Sequence, residues 1–380
     1  MMRRGRTHPT SRPLTIGSMP TAPRKAPSPQ TQPTSSEVAR RAGVSRTTVS
    51  FVLNGVTTQG ISEATREKVL AAARELGYEP HAAARSLAGG STGNMALVIP
   101  KVEHLYFDAF LEQLVASINE HCHRHGLKLL IETLEDPGGK AGGFMKLVRS
   151  RRIDGLIIAH LRAGEIESLR QLRDAGIPLV VFDRELSKAE GFHTMGHDTR
   201  ASARMAVNHL IALGHRRIGL VNYAQPEFHS VNQRERGWHQ ALAEHGITAE
   251  PQWVTHADIT AESGYRATRE LLARGGRLTA LFAGNDTIAF GALRALHEAG
   301  LRVPQDVAVV GYDDIPFAPY ASPPLTTVRS DPVGHGRQAI QMLLAQIEGR
   351  DPAAVEPVPA PTLVIRESCG ASLAGRIAPG

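Results

Sequence analysis

The 380-residue sequence predicts an N-terminal all-α helix-turn-helix domain followed by an α/β core of two lobes built on parallel sheets. Three observations carry that expectation. Residues 34–53 read as two short helices about a tight turn. From Asn94 onward apolar runs of strand length alternate with amphipathic helical stretches. The βαβ grammar then runs through two sets, enough for two sheets and a cleft between them.

The first 33 residues contain seven prolines and six lysines or arginines and no acid. Such a stretch buries too little apolar surface to fold and reads as a disordered basic tail. It either adds phosphate contacts or precedes a true start at Met19. It lacks the apolar core of a secretory signal.

Thr34 and Glu37 have the spacing of a capping box, so a helix starts there. Val38, Ala39 and Ala42 share one of its faces. Gly43 supplies the turn, and Ser45 is an N-cap for a second helix. In that helix Val49, Val52 and Leu53 form an inner stripe, while Arg46, Thr47, Ser50 and Phe51 lie opposite. Ser62 caps a third helix, Glu63 to Leu76, whose inner stripe is read as Val69, Leu70, Ala73 and Leu76. Residues 34–79 thus form one small domain. A short stretch, 80–93, follows: Pro80 at a helix start, Ala82 to Leu87 with high helix propensity, then Gly89, Gly90 and Gly93. Two turns of helix are unstable alone in water, so this linker forms a helix only with outside support.

Residues 94–380 make the core. MALVIP, LKLLIE, GLIIAH and PLVVF read as strands of one lobe, with helices over Phe107–His125, around 143–149, and over Ile166–Ala175. RIGLV, TALFAG and VAVVGY are strands of a second lobe, with helices Ala201–Leu213, Arg234–His245, Glu262–Leu272 and Thr287–Ala299. Helix Val333–Glu348 and strand PTLVIR end the chain. The expected division is lobe one over about 94–193 and 329–350, and lobe two over about 194–328 and 351–380. Polar residues follow the strands, where α/β sheets bind ligands: Asp183, Asn285, Asp286, Asp313 and Asp314.

Charge is uneven. Residues 1–90 hold 13 lysines and arginines against 5 acids, and the remainder holds 30 against 32. A basic front end on a near-neutral body points to a polyanion met by the front end alone. Two cysteines, Cys122 and Cys369, make neither a disulfide framework nor a metal site. The run HCHRH at 121–125 sits on a helix end without matching ligands and reads as solvated surface. No apolar run reaches membrane-spanning length. There is no Gly-x-Ser-x-Gly elbow, phosphate loop or zinc-protease motif.

Several segments, in order, carry a family resemblance: EVARRAGVSRTTVSFVLNG, ISEATREKVLAAARELGYEPHAAARSLAGG, GIPLVVFDRE, HLIALGHRRIGLV, LFAGNDTIAFGALRAL and VPQDVAVVGYDD. The chain resembles the lactose-repressor (LacI/GalR) family of bacterial transcription regulators from residue 34 on. The resemblance implies a periplasmic-binding-protein-like core with Rossmann-like lobes, a homodimer, and a repressor bound to double-stranded, pseudo-palindromic operator DNA. It implies control by a small effector, no cofactor or metal, no catalytic activity, no membrane, and a cytoplasmic, nucleoid-associated setting. The family does not name the effector; the planar fork of Arg234 and the carboxylate of Asp286 suit a sugar or polyol, and a nucleobase could use the same pair.

Carried over residue by residue, Arg46 and Thr47 read bases, with Ser50 and Phe51 one turn on. Ala84 and Leu87 belong to a hinge helix, with Leu87 wedged into the minor groove. Phe107, Asp183, Arg234, Asp286 and Ser330 line the effector cleft. Departures are Ser35 where an aliphatic residue is usual, His81 for the hinge asparagine, and Phe51 where many members have arginine. On pattern alone Asn285 and Asp286 serve equally as helix caps, and Phe107 as core. A sugar-transport binding protein and a sugar-processing enzyme share such a core; the first leaves the helix-turn-helix unexplained, and the second lacks a nucleophile or base constellation.

Overall fold

The computed structural model describes residues 33–53, 59–78, 91–99, 104–133, 148, 152–183, 186 and 191–371. The expected basic tail, the hinge with Ala84 and Leu87, and nearly all of the helix expected around 143–149 lie outside the described residues. The chain divides into two compact units between Arg85 and Ser86.

In the first unit, α1 spans Ser35–Ala42, α2 Arg46–Leu53 and α3 Glu63–Leu76. The capping box is formed: the Glu37 N–H donates to Thr34 Oγ1, and the Thr34 N–H donates to Glu37 Oε2 at 2.6 Å. Gly43 closes α1 at φ 67°, a left-handed conformation. Ser45 Oγ then accepts from the Thr48 N–H at 3.1 Å and starts α2. Val38, Val49 and Val69 are fully buried where the three helices meet. The stripe expected on α3 is corrected at one position. Leu70 is 41% exposed and Ala72 is buried instead. Small helices approach closely, and alanine fills the narrow seam that a leucine would hold open.

The first lobe of the core is a parallel sheet in the order β2-β1-β3-β4-β5. Its strands are β1 Asn94–Ile99, β2 Lys128–Thr133, β3 Gly155–Ile158, β4 Leu179–Phe182 and β5 Thr194–Met195. The second lobe is ordered β11-β10-β9-β8-β6-β7. It comprises β6 Ile218–Asn222, β7 Val254–His256, β8 Ala280–Ala283, β9 Ala308–Asp313, β10 Thr326–Arg329 and the antiparallel β11 Thr362–Val364. Because β5 pairs with β4, the first lobe runs to Met195, past the expected boundary at 193.

Helices cover both faces of each sheet, so the inner strands β1, β3, β4, β6, β8 and β9 are buried along nearly their whole length, whereas the edge strand β2 is exposed at Lys128 and Ile131. In β1, Met95, Leu97 and Ile99 join one core cluster and Ala96 and Val98 the other. The first lobe carries α4 His104–Phe107, α5 Ala109–Arg124 and α6 Ile166–Asp174. The helix expected from Phe107 to His125 is broken at Asp108, whose carboxylate accepts from the Phe110 and Leu111 N–H groups and caps α5. The second lobe carries α7 Thr199–Ala212, α8 His229–Glu244, α9 Ala261–Ala273 and α10 Asp286–Glu298. Finally α11, Pro332–Ile347, returns to the first lobe, where Ala339, Ile340 and Leu343 pack with Met95 and Leu97. The chain therefore passes between lobes three times: after β5, after β10 and after α11. Gly291 on α10 meets α9 so closely that a Cβ would overlap the Ala261 carbonyl oxygen.

Candidate functional site

The carboxyl ends of β3 and β4 face those of β6, β8 and β9, and side chains from both lobes line a cleft of about 410 Å³ including its open side. The first lobe contributes Asp108, Phe110, Ala159, His160 and Phe182; the second contributes Tyr223, Ser230, Arg234, Asn285 and Asp313. His197 and Thr199, at the first crossing, complete it.

Arg234 is the centre of the polar array. It projects from α8 between two tyrosine rings, with its guanidinium carbon 4.4 Å from the Tyr223 centroid and 3.8 Å from that of Tyr312. The guanidinium thus makes a cation–π contact with each ring. Its Nη1 donates to the Gly284 carbonyl, and its Nη2 lies 3.7 Å from Asp313 Oδ1. Its buried Nε–H has no hydrogen-bond partner among the described residues. A buried donor without a partner costs about 1–3 kcal/mol, so a ligand acceptor there gains that much.

Around this cation stand groups whose protonation is set by burial. Burial raises the Asp313 carboxyl to about 7 against the attraction of Arg234. Burial likewise raises Asp108 to about 6, against the hydrogen bond from the Leu111 N–H and the charge of Arg234. Burial, with Arg234 adding to it, depresses His160 to about 4, so His160 is neutral at pH 7. Its Nε2 lies 3.8 Å from Asp108 Oδ2. The cleft thus offers charge-assisted acceptors, neutral donors and the apolar faces of Phe110 and Phe182 side by side.

Of the residues expected to line the cleft, the structure places Arg234 there. Asp286 is corrected: it is fully buried behind the cleft, where its oxygens accept from the Thr327 hydroxyl and the Ile315 N–H. Asn285 and Asp313 occupy the cleft in its place. Ser330 stands one bond further back and donates to Asp313 Oδ1 at 3.2 Å. Asp183, after β4, pairs with His229 at the start of α8 instead of lining the cleft. Phe107 is 46% exposed at the end of α4, and its carbonyl accepts from the Thr287 hydroxyl at 3.2 Å.

Asp183 and Phe107 therefore take part in contacts between lobes. More lie at residues 160–162 and 227–229, among them the Arg162–Glu227 ion pair at 3.5 Å. The His229 N–H donates to the Leu161 carbonyl at 3.1 Å, Arg162 and Phe228 form an antiparallel bridge, and the Arg162 guanidinium lies 5.2 Å from the Phe228 centroid.

On the helix-turn-helix unit, Arg46 and Thr47 are exposed on α2, and Ser50 and Phe51 are half-buried. Phe51 stands outside the core cluster of the three helices. Among the described residues, no group of three His, Cys, Asp or Glu is placed to hold a metal ion, and no helix is long and apolar enough to cross a membrane.

Comparison with known proteins adds sequence-level and structural likenesses. Residues 34–81 match the family model "Bacterial regulatory proteins, lacI family", and residues 207–369 match "Periplasmic binding protein-like domain". The HTH-type transcriptional repressor PurR of Pectobacterium carotovorum is 37% identical over 334 residues, covering 87% of this chain and 95% of the relative. PurR of Haemophilus influenzae is 34% identical over 316 residues, covering 83% and 91%. Among solved structures, the lac repressor dimer bound to operator and the anti-inducer ONPF is 32% identical, covers 87% of this chain and 97% of that one, and has a TM-score of 0.75. The transcriptional regulator CelR in complex with cellobiose is 33% identical, covers 88% and 99%, and has a TM-score of 0.63.

Proposed function

The chain belongs to the lacI family of bacterial regulatory proteins, and on that premise we propose which residues do the work of each unit. The protein is a DNA-binding transcriptional repressor controlled by a small effector. It acts as a homodimer on operator DNA. One three-helix reader makes too few contacts for strong specificity, and a two-fold protein matches a pseudo-palindromic site.

In this reading α2 enters the major groove. Arg46 reads a guanine, and Thr47, Ser50 and Phe51 contact neighbouring bases and their methyl groups. Ala84 and Leu87, outside the described residues, are assigned to the minor groove by the resemblance alone.

The effector is a neutral hydroxylated molecule of sugar type, held in the interlobe cleft by Arg234 together with Asp108, Asn285 and Asp313. The observation that carries this is the mixture around Arg234. Acceptors and donors point into one small space beside the apolar faces of Phe110 and Phe182, and a sugar ring has both hydroxyl edges and C–H faces. The tyrosine faces that would stack on a planar base are filled by the Arg234 guanidinium. In this reading the cleft binds and releases its ligand, as suits a chain whose relatives are transcriptional regulators. As a binder of chromosomal DNA it would work in the cytoplasm, at the nucleoid.

A mobility-shift assay with the DNA upstream of its own gene tests this, run with and without mono- and disaccharides and with purine bases. A sugar should change the bound fraction. Arg234→Ala should keep ligand-free DNA binding and lose the response. A purine acting where no sugar does would overturn the sugar reading, and an alanine variant with full response would overturn the role of Arg234.

A further inference from the structure

We propose that Asp286 is the positioning residue of the effector cleft: from behind the second sheet it fixes the turn that aims Asp313 at Arg234. The proposal rests on reading the cleft as the effector site.

Asp286 is the first residue of α10, but it does not cap that helix. Asn285 does so, its side chain accepting from the Ile288 N–H at 2.8 Å. The two oxygens of Asp286 reach elsewhere. Oδ2 accepts from the Ile315 N–H at 2.9 Å, and Oδ1 from the Thr327 hydroxyl on β10 at 2.6 Å. The same Thr327 oxygen accepts from the Asp314 N–H at 3.3 Å. One carboxyl group thus holds two successive backbone amides of the turn after β9, one directly and one through threonine.

That turn needs holding. Asp313 has φ 109° and Asp314 φ 54°, both in the left-handed region that side chains disfavour. Such a backbone is strained and persists only where its surroundings over-determine it. The double kink sends the two carboxylates to different partners. Asp313 goes to Arg234 and Ser330 at the cleft, while Asp314 goes to Arg329 and Arg366 at 2.6 Å each. If the turn relaxed, Asp313 would leave Arg234.

The fold also keeps room for the brace. Gly311, on β9, lies so close that a Cβ there would overlap Asp286 Oδ1. Burial holds the Asp286 carboxyl well above the ordinary carboxylate range. Asparagine has nearly the same shape: its Oδ1 can accept from the Ile315 N–H, and its amide N–H can donate to Thr327 Oγ1.

The test uses the full chain without any effector, so its failure is separate from failure of the effector reading. Carbon-13 NMR of the Asp313 carboxyl follows its titration, and hydrogen exchange follows the Ile315 amide. In the parent protein the titration should centre near 7. Asp286→Asn should leave both readings in place. Asp286→Ala should move the titration toward the ordinary aspartate range and speed exchange at Ile315 by about tenfold, the loss of one bond to a buried group. Gly311→Ala, which displaces the carboxyl without removing it, should do the same. Should the alanine variants fail to fold, Thr327→Val removes one arm only and should still shift the Asp313 titration. A residue that merely stabilised the lobe would lower the urea midpoint and leave that titration alone. An unmoved titration in a folded Asp286→Ala or Thr327→Val protein, or an asparagine variant as disrupted as alanine, would overturn the proposal.

Discussion

Replacing Asp313 with asparagine should make the core more stable at alkaline pH, contrary to the usual result of deleting an ion-paired acid. The folded carboxyl is raised to about 7 from an ordinary 3.8, chiefly by burial. Between those two values the folded state holds a proton that the unfolded state has lost. Stability then falls as pH rises through that window. Below about 3.8 both states are protonated and the group contributes nothing; above about 7 the full cost is present. Each tenfold change in ionisation is worth about 1.4 kcal/mol, so the cost is on the order of 4 kcal/mol. Asparagine keeps an oxygen for the Ser330 hydroxyl and cannot ionise. The variant's advantage should therefore grow by a few kcal/mol from pH 4 to pH 8. Asp108 titrates in the same direction, and because its charge helps to raise Asp313, the difference between the two proteins includes their mutual repulsion. Urea unfolding at half-unit pH steps measures it. A difference that stays flat with pH, or an asparagine variant that loses ground toward pH 8, would refute the reasoning.

Phe51→Arg should change preference at one base pair of each half-site by roughly 1–3 kcal/mol, from a thymine methyl to a guanine edge; selection from randomised half-sites reads it, and unchanged preference with a lower melting temperature would make Phe51 a packing residue. Thr34→Ala removes a formed capping box and should cost the helix-turn-helix unit about 1 kcal/mol, seen as a lower melting temperature with operator preference intact. Gly291→Val should destabilise the second lobe sharply, because its side chain has to displace the Ala261 backbone; a melting temperature equal to the parent's would contradict the close packing of α9 on α10.

What the sequence made legible was local. The caps at Thr34, Ser45 and Ser62 and the apolar runs of β1, β4 and β9 need no partner to be recognised. Strands β5, β7 and β10 are two to four residues long and exist through pairing with neighbours, which no window of sequence contains. Asp108 reads as part of an amphipathic helix until its carboxylate is seen turned onto the next two amides. In the cleft, Arg234 is indicated by the family resemblance and not by its charged surroundings in sequence, and the phase of Asn285 and Asp286 is not legible. At a strand-to-helix turn adjacent side chains leave in opposite directions, and here the first faces the cleft and the second the interior. Asp313 was visible as a polar residue at a strand end, but the left-handed turn that aims it was not.

The bridge at residues 160–162 and 227–229 bears on how fast a bound molecule is exchanged. For the lobes to part there, the bond from His229 to Leu161, the Asp183–His229 and Arg162–Glu227 pairs and the stacking of Arg162 on Phe228 must break together. The three chain crossings tie the lobes covalently, so parting is a rotation about them and not a separation. Entry and departure then share one gate, whose opening frequency caps both rates. Loosening it, for example with Phe228→Ala, should speed capture and release together. Occupancy at equilibrium would change far less than the time a repressor takes to notice that its effector has come or gone.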